Sequence, residues 1–328
     1  MPILSTHNLS IGYSHGGNRS IVMSGLDVAL KQGRLTALLG SNGIGKSTLL
    51  RTISGAQPAL GGSITLDGRN MEEIGRKELS RLMSLVFTDR TQAGGLTVRE
   101  LVSLGRQPHT GFLGRLDSHD RSAVEKAVAD VGVAHKIDSF VAELSDGERQ
   151  KVMIAKALAQ ETPVIILDEP TAFLDVASRI DTLRLLSDLA HSSGKAILLS
   201  THDIAQTLIL ADDLWVVTKD RELIAGTTED VVLSGAMDRM FSSESVQFNM
   251  LTGDYEVRVK AEKTVTLHCD DSALGRWINN ALRRNRITVA TESGTDIIVK
   301  SADDISVNGI GGINSVSELI DTLVNMKQ

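Results

Sequence analysis

Nine consecutive residues near the N-terminus have the spacing of a phosphate-binding loop. The stretch Gly40–Thr48 fits the pattern GxxxxGK[ST], which ends here in Lys46 and Ser47. An apolar run precedes the stretch and a helical pattern follows it, which is the context that such a loop requires. Backbone N–H groups of the glycine-rich turn and of the helix N-terminus can converge there on a phosphate chain. The stretch predicts a nucleotide site in which Lys46 reaches the terminal phosphates and Ser47 ligates Mg²⁺.

Two later apolar runs end in residues that could act on a bound phosphate. Val164–Leu167 is followed by Asp168 and Glu169, and Ala196–Leu199 leads to His202. Such runs are typical of strands buried on both faces of a parallel sheet, whose ligands lie at the carboxyl ends of the strands. We expect Asp168 to hold Mg²⁺ and Glu169 to orient or deprotonate the water that attacks the γ-phosphate. His202 could contact the same water, although a structural role is about as well supported by its position alone.

The elements that must position these residues alternate between strand and helix patterns. The N-terminal segment predicts edge strands and hairpins; Tyr13 lies within it and could stack on a base, although its spacing alone favours a plain sheet residue. Arg81–Val86 predicts a further strand, and Thr97–Gly132 has the three- and four-residue apolar spacing of helices. Ser145 is suited to cap the next helix. This alternation predicts an α/β fold with a mostly parallel sheet and helices on both faces.

The last portion of the chain has a different character. Residues 241–253 are irregular and predict a linker, and residues 254–328 contain strand-like runs such as Val257–Val259. Helical patterns occur at Ser272–Arg284 and Ser315–Met326. We therefore predict a small α/β accessory domain, which contains no cluster of catalytic residue types.

Composition limits the classes of function. The 328 residues are 41% hydrophobic and 23% charged, as in an ordinary soluble protein, and no run of about 18 apolar residues predicts a membrane span. The net charge is −7 and no basic block occurs, so we expect no nucleic-acid partner. The single cysteine, Cys269, excludes an intrachain disulfide and favours a reducing, cytoplasmic compartment. The N-terminus lacks the pattern of a signal peptide.

Five motifs in a fixed order resemble those of the ATP-binding cassette (ABC) transporter ATPases. They are Gly40–Ser47, Leu144–Gln150, Val164–Glu169, Thr171–Asp175 and Thr201–Asp203. The resemblance covers residues 1–240, and five ordered motifs make it highly specific. It implies a P-loop NTPase core with an N-terminal antiparallel β subdomain and a helical subdomain at about residues 97–160. The small C-terminal α/β domain is an appendix to that cassette.

The resemblance also implies which residues bind ATP. Tyr13 matches the aromatic residue that stacks on adenine in the family, and His202 matches a switch histidine that acts beside the catalytic Glu169. The ATP-binding residues implied in this way are Tyr13, Gly40, Ser41, Asn42, Gly43, Gly45, Lys46, Ser47 and Thr48. The family further implies a head-to-tail homodimer that holds two ATP molecules. Each ATP would be completed by the other subunit through Ser145, the Gly147 backbone and Asp175.

Two positions depart from the family pattern. The family has a glutamine that touches Mg²⁺ and couples to the membrane subunit, and this position falls on Thr88. A threonine hydroxyl can ligate Mg²⁺ with a shorter reach, while Gln92 lies further along the same loop. The implied metal ligands are therefore Ser47, Asp168 and, as an open question, Thr88. Asp146 stands in the motif Leu144–Gln150 where glycine is commoner in the family.

Three further stretches resemble the ATPases of iron–siderophore, haem and cobalamin importers: Leu96–Val102, Leu104–His109 and Ala155–Pro163. The resemblance implies an ATP-hydrolysing importer subunit, peripheral on the cytoplasmic face of the cell membrane. Its partners would be a second copy, integral membrane permease subunits and, indirectly, a substrate-binding protein. The alternatives are an exporter ATPase and a soluble ABC protein acting on ribosomes or DNA. The single cassette and the absence of a basic run disfavour the soluble alternative.

Overall fold

A computed structural model of the chain describes residues 2–16, 18–87, 95–111, 114–241, 243 and 245–326. The chain divides into two compact units. The first comprises Met1–Ser242 and Phe248–Asp254, and the second comprises Ser243–Gln247 and Tyr255–Gln328. The predicted roles of these parts, as a nucleotide-binding domain and an accessory domain, stay predictions at this point.

The strands of the first unit build two sheets. They are β1 Pro2–His15, β2 Asn18–Leu26, β3 Ala29–Lys31, β4 Leu35–Leu39, β5 Gly61–Leu66, β6 Arg69–Asn70, β7 Met83–Val86, β8 Val164–Asp168, β9 Ala196–Ser200, β10 Asp213–Val217 and β11 Leu223–Thr227. The helices of this unit are α1 Lys46–Ile53, α2 Arg76–Leu82, α3 Val98–Ser103, α4 Ser118–Asp130, α5 Asp146–Ala159, α6 Val176–Ser193, α7 Ile204–Leu210 and α8 Thr228–Leu233. Two short strands follow, β12 Val246–Asn249 and β13 Asp254–Val257.

The larger sheet of the first unit has the strand order β11-β10-β4-β9-β8-β7. The strands β7, β8, β9, β4 and β10 run parallel, and only β11 is antiparallel to its neighbour. Every residue of β4, β8 and β9 is buried, as expected for strands covered on both faces. The order places the carboxyl ends of these three strands side by side. The predicted α/β fold with a mostly parallel sheet is therefore confirmed.

The smaller sheet is antiparallel and contains the N-terminal strand. Its order is β2-β1-β5-β6, and β3 also pairs with β1. The β1–β2 ladder pairs Tyr13 with Ser20, so the tyrosine lies in the sheet. This sheet is the antiparallel β subdomain that the resemblance implied.

A buried arginine fastens the helical region between α3 and α5. Arg106 follows α3 and donates hydrogen bonds to Asp120 Oδ1 at 2.8 Å, the Ala159 carbonyl at 2.7 Å and Glu161 Oε2 at 2.6 Å. These bonds join α4 and the end of α5 to the segment after α3. The stretch Leu104–His109, which carries the resemblance to importers, thus serves in this structure as a brace of the helical subdomain.

The second unit is a separate α/β layer structure. Its sheet has the order β15-β14-β16-β17-β18, with helices packed on one face. Its elements are β14 Lys263–Cys269, α9 Ser272–Arg284, β15 Ile287–Val289, β16 Asp296–Ser301, β17 Asp304–Val307, β18 Ile310–Ile313 and α10 Val316–Asn325. The predicted small α/β appendix is confirmed as a fold.

Two predicted strands differ from the observed ones at their ends. The first two residues of the stretch 81–86 belong to α2, because the Arg, Lys, Glu and Leu residues of that helix favour helical structure, and the strand β7 begins only at Met83. A strand is predicted over 257–259, but β13 ends at Val257. No helix among the described residues is long and apolar enough to cross a membrane.

Candidate nucleotide site

The phosphate loop connects the end of β4 to the start of α1. Gly43 and Gly45 have φ angles of 73° and 122°, which lie in the region that favours glycine. A Cβ at Gly45 would lie 2.6 Å from Val22 Cγ1, so the loop approaches β2 too closely for a side chain. The glycines therefore let the backbone wind tightly into the first turn of α1, where unpaired N–H groups suit an anion.

Lys46 is buried and its amine is held by the loop itself. The Nζ atom donates to the Gly40 carbonyl at 2.8 Å and to the Ser41 carbonyl at 3.2 Å. Burial lowers the pKa of Lys46 from its ordinary value, and the nearby carboxylates Glu169 and Asp168 oppose that shift. A cation is thus fixed at the mouth of the loop, beside two acidic groups.

A serine on the neighbouring strand positions both acidic residues. The ladder between β8 and β9 pairs Asp168 with Ser200, and Ser200 Oγ donates to Asp168 Oδ1 at 2.6 Å. The Glu169 N–H donates to Ser200 Oγ at 2.9 Å. Glu169 has a φ of 50°, a left-handed conformation that costs a non-glycine residue about 1 kcal/mol or more. Sequence reasoning missed Ser200, because its role depends on the strand register that pairs it with Asp168.

His202 lies next to Glu169, the residue that is predicted to be catalytic. Its Nε2 atom is 2.7 Å from Glu169 Oε1 and 3.5 Å from Lys46 Nζ. The side chains of His202 and Glu169 are both partly exposed, so water can reach the pair. The structure thereby joins three predicted residues that come from the ends of β4, β8 and β9. The sequence alone left the position of His202 open.

Tyr13 reaches the phosphate-loop helix from the antiparallel sheet. Its hydroxyl lies 2.8 Å from Thr48 Oγ1, within hydrogen-bond distance, while 54% of the residue is exposed. The contact places Tyr13 beside the loop and leaves much of its surface open to a ligand. A position in the sheet does not prevent Tyr13 from facing a nucleotide. Its role in adenine stacking stays a prediction.

The motif Leu144–Gln150, called the signature motif below, begins α5. Ser145 is the N-cap: its Oγ accepts from the Glu148 N–H at 3.3 Å, and Glu148 accepts from the Ser145 N–H at 2.9 Å. These bonds lower the pKa of Glu148, which stays ionised. Asp146, which replaces the commoner glycine, forms an ion pair with Arg149 at 2.7 Å. The helix N-terminus itself is exposed.

Gly147 and Asp175 each lie next to Ser178, in the first turn of α6. A Cβ on Gly147 would lie 3.0 Å from Ser178 Oγ, and Asp175 Oδ1 accepts from the Ser178 N–H at 2.8 Å as the N-cap of α6. The start of α6 therefore lies against the signature motif. Within the described part of the chain, no hydrogen bond links Ser145, Gly147 or Asp175 to the phosphate loop.

The remaining predicted metal ligands can be tested only in part. Thr88 and Gln92 lie outside the described residues, so the question about them stays open. No group of three or more His, Cys, Asp or Glu side chains suited to a metal occurs among the described residues. Mg²⁺ in nucleotide sites needs only one or two protein oxygens besides phosphates and water. The hydroxyl of Ser47 and the carboxylate of Asp168 fit that requirement.

Comparison with known proteins shows the family to which the chain is similar. The family described as "ABC transporter" matches residues 23–172. The ferric enterobactin transport ATP-binding protein FepC of Escherichia coli is 36% identical, over 73% of this chain and 86% of its own length. The iron(3+)-hydroxamate import ATP-binding protein FhuC of Bacillus subtilis is 34% identical, over 75% of this chain and 90% of its own length.

Solved structures show the same fold. The chain resembles CbiO1 of Clostridium perfringens, part of the ABC transporter complex CbiONQ, with a TM-score of 0.63 and 30% identity. The match covers 73% of this chain and 93% of CbiO1.

Proposed function

The chain belongs to the ATP-binding proteins of ABC transporters, and on that premise we propose that it powers the import of a metal chelate such as a ferric siderophore. Membership makes it an ATPase, as its motifs predicted. The import direction and the cargo class rest on FepC and FhuC, which are named for ferric enterobactin transport and iron(3+)-hydroxamate import. Haem and cobalamin chelates belong to the same predicted class of cargo.

One observation supports the chemistry most strongly, namely the convergence of Lys46, Asp168 and the Glu169–His202 pair at adjacent strand ends. Lys46 binds the terminal phosphates of ATP as a fixed cation. Glu169 lies where its carboxylate can orient or deprotonate the attacking water, and His202 holds that carboxylate in place. Ser47 and Asp168 would hold Mg²⁺, which neutralises charge on the phosphates when it is bound.

The proposed active form is a head-to-tail homodimer with two ATP molecules. The exposed N-terminus of α5 supports this proposal, because the backbone N–H groups of a helix start suit an anion. The Ser145 hydroxyl donates to Glu148 Oε2 at 2.9 Å and would turn to the phosphate of the other subunit's ATP. In the dimer, Ser145, Gly147 and Asp175 of one subunit complete the ATP site of the other. ATP then closes the dimer, and loss of the γ-phosphate lets it reopen.

We propose integral membrane permease subunits as the partners of this dimer. FepC and FhuC are ATP-binding proteins of transport systems, and a chain similar to them has to act on a membrane-spanning channel to move cargo. The dimer would lie peripherally on the cytoplasmic face of the membrane. A substrate-binding protein would contribute indirectly by delivering the chelate.

The substitution Glu169→Gln tests the proposed chemistry. ATP hydrolysis should fall by about 10²–10⁴-fold, because the general base is lost while the shape of the site is kept. Compared with the same protein without nucleotide, light scattering with MgATP should then show an additional, long-lived dimer that the wild type forms only transiently. Glu78→Gln, which changes an exposed glutamate paired with Arg69, is the control and should behave like the wild type. A monomeric Glu169→Gln protein loaded with ATP would contradict the dimer mechanism.

The cargo is tested by reconstitution of this chain with its permease and binding protein. Ferric siderophore delivered by the binding protein should stimulate ATP hydrolysis severalfold, whereas cobalamin and haem serve as the competing candidates. Stimulation by cobalamin alone would support the proposed import function but assign cobalamin as the cargo. Stimulation by none of these chelates would reject the cargo class.

A further inference from the structure

The two helices of the second unit pack side by side on one face of its sheet. Ile278 and Leu282 of α9 share a core with Leu319 and Leu323 of α10 and with the strands. The helices also contact each other. Their outer sides therefore form one surface turned away from the sheet, which we call the helix layer.

The α9 side of the helix layer is basic and exposes a tryptophan. Trp277 is 68% exposed, and Arg276 and Arg284 are exposed on the same side at helical spacing. Among the described residues neither arginine has a carboxylate partner, whereas the adjacent Arg283 is paired with Glu256. Tryptophan and arginine are the residue types most enriched in the energetic centres of protein interfaces.

The α10 side of the helix layer has two acidic residues followed by an apolar one, and Lys263 Nζ donates to the Leu323 and Met326 carbonyls at 2.8 and 2.7 Å, at the C-terminal end of the helix. Glu318, Asp321 and Val324 follow one another at three-residue spacing, and all three are exposed. The Glu318 carboxylate accepts from the Asn314 N–H at 2.8 Å at the start of the helix. Asp321 has no partner among the residues that the structure describes. The two helices thus present opposite charges on one surface, each beside an exposed apolar side chain.

We propose that the helix layer binds the helix layer of a second copy, with α9 of each subunit against α10 of the other. A twofold axis makes both contacts at once, because the same two stripes occur on both subunits. Trp277 then packs against Val324 of the partner subunit, and Arg284 faces Asp321 of the partner subunit.

Charge favours a second copy over an anionic partner. Nucleic acid or an anionic membrane would gain from Arg276 and Arg284 but would be repelled by Glu318 and Asp321 on the same surface. A second copy matches both signs. The 13 residues of α9 span about 20 Å, and with α10 about 10 Å away the layer covers roughly 400 Å². This is below the roughly 800 Å² per partner of a standard interface, so we expect a weak association that depends on protein concentration.

Sedimentation velocity of the full chain without nucleotide tests the proposal, since ATP-driven closure is then absent. The wild type should self-associate over about 1–200 μM, and Trp277→Ala should weaken association by about tenfold or more. Ile310→Ala is the control, because Ile310 is 76% exposed on β18 of the same unit and lies outside the helix layer. A wild type that stays monomeric, or an equal effect of both substitutions, would overturn the proposal.

A charge exchange identifies the partner surface. Arg284→Asp and Asp321→Arg should each weaken association by several-fold, and the double variant should restore it, because the attraction returns with reversed sign. Circular dichroism checks that each variant is folded. Failure of the double variant to recover would overturn the proposal. Binding of the wild type to phosphatidylglycerol vesicles that Arg284→Asp abolishes would assign the basic stripe to a membrane and likewise overturn it.

Discussion

The phosphate-loop half of the ATP site and the signature-motif half differ in how their side chains are held. Lys46, Glu169 and His202 come from three separate strand ends and contact one another within the first unit. Ser145 and Asp175 are exposed helix caps whose side-chain bonds stay within the first turn of their own helices. The first half is assembled by the fold of one chain. The second presents an exposed helix end, which in the proposed dimer becomes a site only with a partner.

Between the two halves, the larger effect should follow from removing the cation of the phosphate-loop half. Lys46→Met should lower ATP hydrolysis by about 10²–10³-fold and weaken ATP binding, because a fixed positive charge at the phosphates is lost. Lys195→Met is the matched control: burial also lowers the pKa of Lys195, and its Nζ donates to the Thr162 carbonyl at 2.6 Å away from the site. A colorimetric phosphate assay and nucleotide titration measure both variants. Equal losses of ATP hydrolysis and ATP binding in the two variants would show that Lys46 contributes only to packing.

A smaller effect should follow from changing the signature-motif half without disturbing its helix. Ser145→Asp retains a good N-cap but sets a negative charge against the phosphate of the partner's ATP, so hydrolysis should fall by about 10–10²-fold. ATP binding to the isolated subunit should be unchanged, as measured by fluorescent nucleotide titration.

Thr97→Asp controls for the effect of the cap itself. Thr97 caps α3 with the same reciprocal box, formed with Glu100, as Ser145 forms with Glu148. This variant should hydrolyse ATP at the wild-type rate. A drop as large as that of Ser145→Asp would show that the loss comes from the fold rather than from the site.

The smallest effect on nucleotide binding should come from the brace under the signature-motif half. Arg106→Ala should lower the free energy of unfolding by about 3–5 kcal/mol at pH 7, because it leaves the buried Asp120 carboxylate without its partner. Arg99→Ala, which removes an exposed ion pair with Asp138, should cost at most about 1 kcal/mol. Urea titrations measure both.

The cost of losing Arg106 should depend on pH. Burial raises the pKa of Asp120 and Glu161, but hydrogen bonds from Arg106 outweigh it, so both pKa values lie below their ordinary range. The stabilisation is therefore present above about pH 5 and is lost as the pH falls through the lowered pKa values. The difference between wild type and Arg106→Ala should shrink between about pH 5 and pH 3. A difference in the free energy of unfolding that grows as the pH falls would contradict the lowered pKa values of Asp120 and Glu161.

The sequence was most informative where one short stretch determines both structure and chemistry. The phosphate loop, the buried strands before Asp168 and His202, and the cap at Ser145 were all predictable, because their signals are local. The helix boundaries of α9 at Ser272 and Arg284 also agree with the apolar spacing.

Features that depend on distant contacts were not predictable from a single chain. The role of Ser200 needs the register that pairs it with Asp168, and the brace at Arg106 needs residues 14 and 55 positions away. The contact between Tyr13 and Thr48 likewise joins residues that are 35 positions apart in the sequence. Residue type alone indicates none of these partners, since they are set by the packing of separate elements.

A mixture of the two defective proteins tests most directly whether each ATP site is shared between subunits. Lys46→Met and Ser145→Asp should each be nearly inactive alone. In a mixed head-to-tail dimer, one site combines both defects, and the other combines an intact Lys46 with an intact Ser145. An equal mixture should therefore regain ATP hydrolysis, to about a quarter of the wild-type rate for random pairing. No recovery, with mixed dimers demonstrated by capture through two different tags, would contradict a site built from two subunits.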